Sequence, residues 1–123
     1  MDRSSKIKLK QYIVEGRKLY LQNCANCHGT EGQGLRRVIP PVKDADFLTK
    51  YPEKSICIIK HGANTPITVN DVEFVQKMPD NPQLTDLEIA ELITYITNQW
   101  NQGKPKLFSV SEVSDILNKC NPN

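Results

Sequence analysis

Large apolar side chains are scarce in this sequence. Hydrophobic residues make up 38% of the 123 residues, and aromatic residues make up only 7%. A chain of this length forms one domain and leaves little room for a second. So few apolar side chains make a lean core, and we expect something other than side chains to fill part of the interior.

Long apolar runs and a strong charge of one sign are also missing. No stretch reaches the roughly 18 apolar residues that a transmembrane helix needs. The first residues, MDRSSKIKLKQ, lack the apolar centre of a signal peptide. The net charge is +2, from 16 basic and 14 acidic residues. We therefore expect no transmembrane segment and no nucleic-acid partner.

The four cysteines fall into one close pair and two isolated residues. Cys24 and Cys27 stand three positions apart, whereas Cys57 and Cys120 have no cysteine near them in the sequence. An even remainder allows Cys57 and Cys120 to form a disulfide, which persists only in oxidising compartments. Two buried free thiols are the alternative.

Apolar spacing in the first and middle parts of the chain predicts helices. The pattern from about 10 to 26 is helical, and Gly16 in its middle favours a close crossing by another helix because glycine costs about 1 kcal/mol there. A short helix is expected near 44 to 51. Pro52 and Gly62 suit the first turn and the end of the next helix.

The second half of the chain predicts a hairpin and two capped helices. The segments 67–69 and 72–74 flank Asn70 and Asp71, which tolerate left-handed backbone in a turn. Thr85 with Glu88 is a capping-box pair, and the same spacing recurs at 109 and 112. The fold class is therefore all-α, with four or five helices and one small hairpin.

The stretch Cys24-Ala25-Asn26-Cys27-His28 carries the chemistry. C-x-x-C-H is the pattern of covalent haem attachment. Two thiols on one helical turn add to the two vinyl groups of the ring as thioethers, and the histidine that follows supplies an imidazole nitrogen to the iron. We predict a single haem c bound through Cys24 and Cys27, with His28 as an axial ligand.

Other interpretations of the pair of cysteines fit the rest of the chain less well. A thioredoxin-like C-x-x-C follows a strand in an α/β chain, whereas here the motif ends a helix. A zinc site needs four ligands, usually in two tight pairs, and Cys57, His61 and Cys120 form no second pair. Two structural cysteines next to a histidine by coincidence are the remaining alternative.

The sixth position on the iron has two candidates. Met78 lies in the proline-bounded loop Lys77-Met78-Pro79, where a methionine that only fills the core is less expected. His61 is the rival, although a histidine at a helix end is usually a cap that interacts with the helix dipole. We favour Met78, since histidine with methionine is a known haem ligand set.

With these features the chain resembles class I mono-haem bacterial cytochromes c over 12–100. Gly16 and Tyr20 are similar to the glycine and aromatic residue of the family's first helix, and Leu92 and Tyr95 to their partners on its last core helix. The resemblance implies the cytochrome c fold, in which these two helices cross around one haem.

The resemblance also assigns the loops on either side of the haem. Ile39-Pro40-Pro41-Val42 resembles the loop whose proline receives a hydrogen bond from the proximal histidine, and we assign Pro40, with Pro41 as the alternative. The cofactor-binding residues are then Cys24, Cys27, His28, Pro40 and Met78. Six apolar residues are expected to line the pocket: Leu35, Val38, Phe47, Ile59, Phe74 and Leu92.

The C-terminal part departs from the family pattern. We expect a flexible segment at 1–10, a cytochrome c domain at 11–103, and an extension at 104–123 whose short helix packs on the domain. Our hypothesis is that a disulfide between Cys57 and Cys120 fastens that helix to the one that begins at Pro52.

The resemblance implies an electron carrier rather than an enzyme. It would be a monomer that docks transiently, at the haem edge, with a redox donor and a redox acceptor. Lys77, Arg36 and Arg37 are expected to surround that edge. The alternative is a five-coordinate or ligand-exchanging haem protein with peroxidase or gas-binding activity, and a structural haem module is a third reading.

Localisation follows from the same chemistry. Haem attachment and a disulfide both require maturation outside the cytosol. We therefore expect a periplasmic or otherwise extracytoplasmic protein whose signal peptide or anchor is absent from this sequence. Lys6, Lys8 and Lys10 would then belong to a linker from an anchor or from a larger protein.

Overall fold

The computed structural model describes residues 1–101 and 103–120 and has the expected all-α architecture with one small hairpin. The helices and strands follow the chain in this order: α1 Arg3–Asn23, α2 Ala25–His28, α3 Asp46–Lys50, α4 Pro52–His61, β1 Ile67–Val69, β2 Val72–Phe74, α5 Asp86–Trp100 and α6 Val110–Asn118. The described part thus has six helices rather than four or five, because two of them are only about one turn long. Within it, no helix is long and apolar enough to span a membrane.

Helix α1 begins earlier than the sequence pattern indicated. It begins at Arg3 and not near residue 10, because Asp2 caps it by accepting the backbone N–H of Ser5 at 2.8 Å. Residues 3–10 contain no glycine or proline and are mostly arginine, lysine and leucine, which favour helices, so the helix extends outward from its packed part. The segment 1–10 is thus helical from Arg3 onward, and its flexibility stays a prediction.

Helices α1 and α5 pack against each other and form the centre of the core. Gly16 is buried where they cross, and a β-carbon there would lie only 2.6 Å from Cβ of Tyr95. Next to the crossing, the rings of Tyr20, Tyr95 and Trp100 contact one another with centroids 5.0 to 5.8 Å apart. The close approach explains the glycine in the helix interior.

The hairpin has the predicted strands and turn, and it packs beside α3. Ile67 pairs with Phe74 and Val69 with Val72, and the turn residues Asn70 and Asp71 both have positive φ, at 52° and 66°. Two positive φ values in a two-residue turn match the twist of the strands. Asp46 and Asn70 also exchange backbone-to-side-chain hydrogen bonds of 2.8 and 2.9 Å, so the turn is fixed to the start of α3.

The C-terminal extension packs on α5 through both polar and apolar contacts. The backbone N–H of Phe108 donates to the buried Thr94 hydroxyl at 3.1 Å, and Asn98 both donates to and accepts from the backbone of Lys106. Ser114 donates to Asp86 at 2.6 Å. Phe108 and the fully buried Val113 join the main core. The division of the chain at 103 and 104 itself stays a prediction.

A disulfide joins the extension to α4, as the hypothesis stated. Cys57 and Cys120 are bonded, with their α-carbons 5.8 Å apart and a separation of 63 positions in the sequence. Cys57 lies between Ile56 and Ile58 on α4, and Ile56 is fully buried. The disulfide therefore attaches to the middle of α4, a helix that also lines an apolar cleft.

Candidate cofactor-binding cleft

The end of α1 and the one-turn helix α2 position the C-x-x-C-H residues. Cys24 ends α1 and precedes α2, with its N–H donating to Tyr20 O at 2.8 Å and its carbonyl accepting from His28 N–H at 2.9 Å. This break in the helix places the three chemical groups on one tight turn. Cys24 is buried, Cys27 is exposed, and neither is in a disulfide.

The environment of Cys24 is unlike that of a redox-active cysteine. Burial, assisted by the nearby Cys27, raises the pKa of the Cys24 thiol to about 12. Redox and nucleophilic cysteines instead have lowered pKa values in electropositive surroundings. The chemistry of the pair therefore favours use as an attachment point over use as a dithiol redox centre.

His28 is oriented by a single hydrogen bond. Its Nδ1 lies 2.9 Å from the carbonyl oxygen of Pro40. A carbonyl can only accept, so Nδ1 carries the proton and Nε2 keeps its lone pair for a metal. Burial lowers the pKa of His28, against the opposing effect of the Pro40 hydrogen bond, so the neutral imidazole that ligates metals is favoured.

The loop that presents Pro40 depends on a glycine. Gly34 has φ of +70°, and a β-carbon there would lie 2.7 Å from the Pro40 carbonyl carbon and from Pro41 N. Its N–H donates to His28 O at 2.7 Å, while Leu35 and Ile39 pair across the turn. Gly34 thus connects the backbone of the histidine to the loop that orients its ring, a role that the sequence did not reveal.

Met78 lies in the loop that follows β2, and it lines the same cleft. It is half-buried and lines the cleft together with His28, Cys24 and Pro40. Its backbone N–H and C=O both bond to Ala63, at 3.0 Å each, so the loop lies along the end of α4. Gly62, with φ of +76°, passes close to the Met78 carbonyl and leaves no room for a β-carbon.

The cleft itself is almost wholly apolar, as the walls of ligand and cofactor sites usually are. Tyr20 and Ser55 supply hydroxyl groups at its wall, although each donates its proton to a backbone carbonyl, that of Gly29 and that of Tyr51. The other lining residues are Pro41, Val42, Ala45, Phe47, Leu48, Ile58, Ile59, Ile67, Val69 and Ile96.

Two of the six residues expected to line the pocket are found in the wall of the cleft. Phe47 and Ile59 line the cleft, but Leu35 and Val38 are exposed, at 53% and 48%. Phe74 lies in a small cluster with Ala45 and Val69, and Leu92 is fully buried between the helices. An apolar residue in a pattern is expected to be buried or to line a site, but the pattern does not say which.

His61, the rival of Met78, lies elsewhere. It is exposed at the end of α4 and lines a separate polar groove beside the disulfide. Among residues 1–101 and 103–120, no group of three or more histidine, cysteine and carboxylate side chains could hold a metal ion. The structure of this part of the chain therefore gives no support to a zinc site.

The residues of the cleft fit a covalently bound haem. Two free thiols stand on one turn, an imidazole is held in the metal-binding tautomer, and a thioether lines the same cavity. Nitrogen and sulfur donors of this kind are typical axial ligands of c-type haem. A flat apolar ring also accounts for the lean core of side chains.

Comparison with protein families and known sequences agrees with this fit. The family model described as "Cytochrome c" matches residues 13–100. A curated relative, cytochrome c-552 of Thermus thermophilus, is 32% identical over 114 residues, which cover 86% of this chain and 86% of the relative.

Larger proteins also match the chain. The cytochrome c subunit of alcohol dehydrogenase (quinone) from Gluconobacter oxydans is 28% identical over 103 residues, covering 82% of this chain. The cytochrome c subunit of gluconate 2-dehydrogenase from Pantoea cypripedii is 21% identical over 103 residues. This chain spans only 21% and 23% of those two subunits.

Proposed function

We infer that His28 and Met78 are the axial ligands of the haem, because the chain belongs to the cytochrome c family and both residues line its apolar cleft. The protein is an electron-transfer protein with a covalently bound haem c. When bound, the haem supplies an iron centre that accepts and releases one electron. The observation that carries the ligand assignment is the His28–Pro40 hydrogen bond, which leaves Nε2 available for the iron.

Each residue of the cleft has a part in this proposal. Cys24 and Cys27 hold the ring through thioether bonds, and Pro40 keeps the His28 imidazole in one tautomer and orientation. Met78 adds a soft sulfur ligand, which raises the reduction potential. The apolar walls exclude water and disfavour the additional charge of the ferric form, so they also raise the reduction potential.

We propose that redox partners dock over the mouth of this cleft. Arg36, Arg37 and Lys77 are exposed and precede Pro40 or Met78 in the sequence by one to four positions. Val75 is also exposed, at 69%, in the loop before Met78. An apolar contact bordered by positive charges suits a weak, salt-dependent complex with an acidic partner. Reversing the charge with Lys77→Glu should slow electron transfer at low salt and have little effect at high salt.

The relatives suggest which kind of partner is involved. Two of them are named as cytochrome c subunits of dehydrogenases. We propose a dehydrogenase as a redox donor, a second redox protein as acceptor, and a monomer as the working form. The chain itself would not be an enzyme, since Met78 as a sixth ligand would close the iron site that an enzyme keeps open.

We also propose an extracytoplasmic location, in the periplasm of a bacterium. The Cys57–Cys120 disulfide and the attachment of haem to Cys24 and Cys27 both require an oxidising compartment or maturation outside the cytosol.

Carbon monoxide binding tests the electron carrier against the gas-binding or peroxidase alternative. The reduced holoprotein should bind carbon monoxide poorly because Met78 occupies the sixth position, whereas the Met78→Ala variant should bind it readily. Equal, tight binding by both proteins would contradict the proposal and favour the alternative.

A further inference from the structure

Asn81, three positions after Met78, joins the ligand loop to the end of α4. Its side-chain Nδ2 donates to Ile59 O at 2.9 Å, and its backbone N–H donates to Lys60 O at 3.0 Å. Both carbonyls lie in the last turn of the helix, where no further helical N–H is available to them. Asn81 therefore supplies the hydrogen bonds that the helix end lacks.

Lys60 makes a second connection, in which a side chain of the helix donates to the segment that follows Met78. Its ammonium donates to Pro82 O at 3.0 Å and to Leu84 O at 2.7 Å. Hydrogen bonds from a charged donor are stronger than those between neutral groups. Because the Leu84 side chain is buried in the main core, this ammonium fixes the chain beyond Met78 to a rigid part of the fold.

Met78 itself is held by hydrogen bonds on its own backbone and on the residues that follow it. The Ala63 hydrogen bonds hold its backbone from one side, and the contacts of Lys60 and Asn81 hold the residues that follow it. The same helix contributes Ile58 and Ile59 to the wall of the cleft. Opening of the loop around Met78 therefore requires its hydrogen bonds to the end of α4 to break.

We propose that Lys60 and Asn81 are positioning residues for Met78, which keep its sulfur on the iron and other ligands off it. The proposal rests on the proposed role of Met78 as axial ligand. An exogenous ligand binds only when the loop opens, so its apparent affinity reports the population of the open form. In the exchange, an imidazole nitrogen replaces the Met78 sulfur with no change in the oxidation state of the iron.

Imidazole titration of the ferric holoprotein at fixed pH measures this equilibrium. Lys60→Leu loses both hydrogen bonds from the ammonium and should bind imidazole at least about tenfold more tightly than the wild type. Asn81→Ala leaves every charge in place and should bind about fivefold more tightly. Lys60→Arg, which keeps a cationic donor, should restore most of the wild-type affinity.

Lys54→Leu is the matched control. Lys54 lies on the first turn of the same helix with its ammonium over the Tyr51 ring, 4.7 Å from the centroid, and away from the ligand loop. Its loss should leave the imidazole affinity unchanged. Urea unfolding of every variant separates a local opening of the loop from a general loss of stability.

The outcomes separate the two proposals. If the wild type lacks a methionine–iron absorption band, or keeps it in Met78→Ala, the ligand assignment fails and the positioning role fails with it. If the band depends on Met78 but Lys60→Leu and Asn81→Ala bind imidazole like the wild type, only the positioning role is refuted. An equal gain in imidazole affinity in Lys54→Leu would also refute the positioning role. Should Lys60→Leu not fold, Asn81→Ala decides.

Discussion

Replacing Gly16 with alanine should destabilise the protein although alanine is the better helix former. In an exposed helix the change would contribute about 1 kcal/mol of stability. Here the new β-carbon would overlap the Glu91 carbonyl and lie 2.6 Å from Cβ of Tyr95. Ordinary contacts begin at 3.4 Å, so α1 and α5 must move apart by about 0.8 Å to relieve the Tyr95 contact alone, and by more to relieve the closer Glu91 carbonyl.

The cost of that movement exceeds the gain. The neighbours are backbone and β-carbon atoms that cannot rotate away, so the overpacking cost should reach the upper part of the usual range, about 3 kcal/mol. Subtracting the helix-propensity gain leaves a net loss of about 2 kcal/mol. The movement also loosens the ring contacts of Tyr20 with Tyr95 and Trp100, which lie beside the cleft.

Urea unfolding of the holoprotein checks this prediction. The midpoint should fall while the dependence on urea stays constant, which marks a change in stability rather than in the unfolded state. Gln22→Ala, an exposed position on the same helix, is the control and should stay within about 0.5 kcal/mol of the wild type. A Gly16→Ala protein as stable as the wild type, or more so, would refute the reasoning.

Three further predictions concern the disulfide, the proline loop and pH. Mutating Cys57 and Cys120 to serine should cost up to about 4 kcal/mol, from the 63-residue separation, in thermal or urea unfolding; unchanged stability would contradict a structural role for the bond. Gly34→Ala should disturb the orientation of the proximal histidine and change the haem absorption spectrum, since both its φ and its space require glycine. The pKa of Asp46 should lie below its usual 3.8, chiefly because the Asn70 N–H stabilises the carboxylate. That contribution is present above pH 3.8 and is lost as the pH falls through the lowered pKa, and an NMR titration midpoint at or above 3.8 would contradict it.

Local chemistry made much of the fold predictable from the sequence. Thr85 and Glu88 form both halves of the capping box at the start of α5. Asn70 and Asp71 make the turn that their residue types favour. The C-x-x-C-H motif identifies haem as the cofactor, since covalent attachment requires each residue type at its position. These features depend on neighbours a few positions away, which the sequence displays directly.

Contacts between distant parts of the chain were less predictable. Ser109 caps α6, but the Glu112 carboxylate accepts from Lys106 at 3.5 Å instead of from the Ser109 backbone as the capping box required. Lys60 and Asn81 bond to residues 22 to 24 positions away, at a range where sequence patterns give no signal. The contacts of Lys60 and Asn81 follow from how α4 packs beside the ligand loop, which depends on the whole fold.

The ferric absorption spectrum of the purified holoprotein at neutral pH tests the central claim most directly. If Cys24 and Cys27 hold one haem between His28 and Met78, the spectrum should be low-spin and should contain the methionine–iron charge-transfer band. The Met78→Ala variant should lose that band. A high-spin ferric spectrum without the band in the wild type would contradict the account.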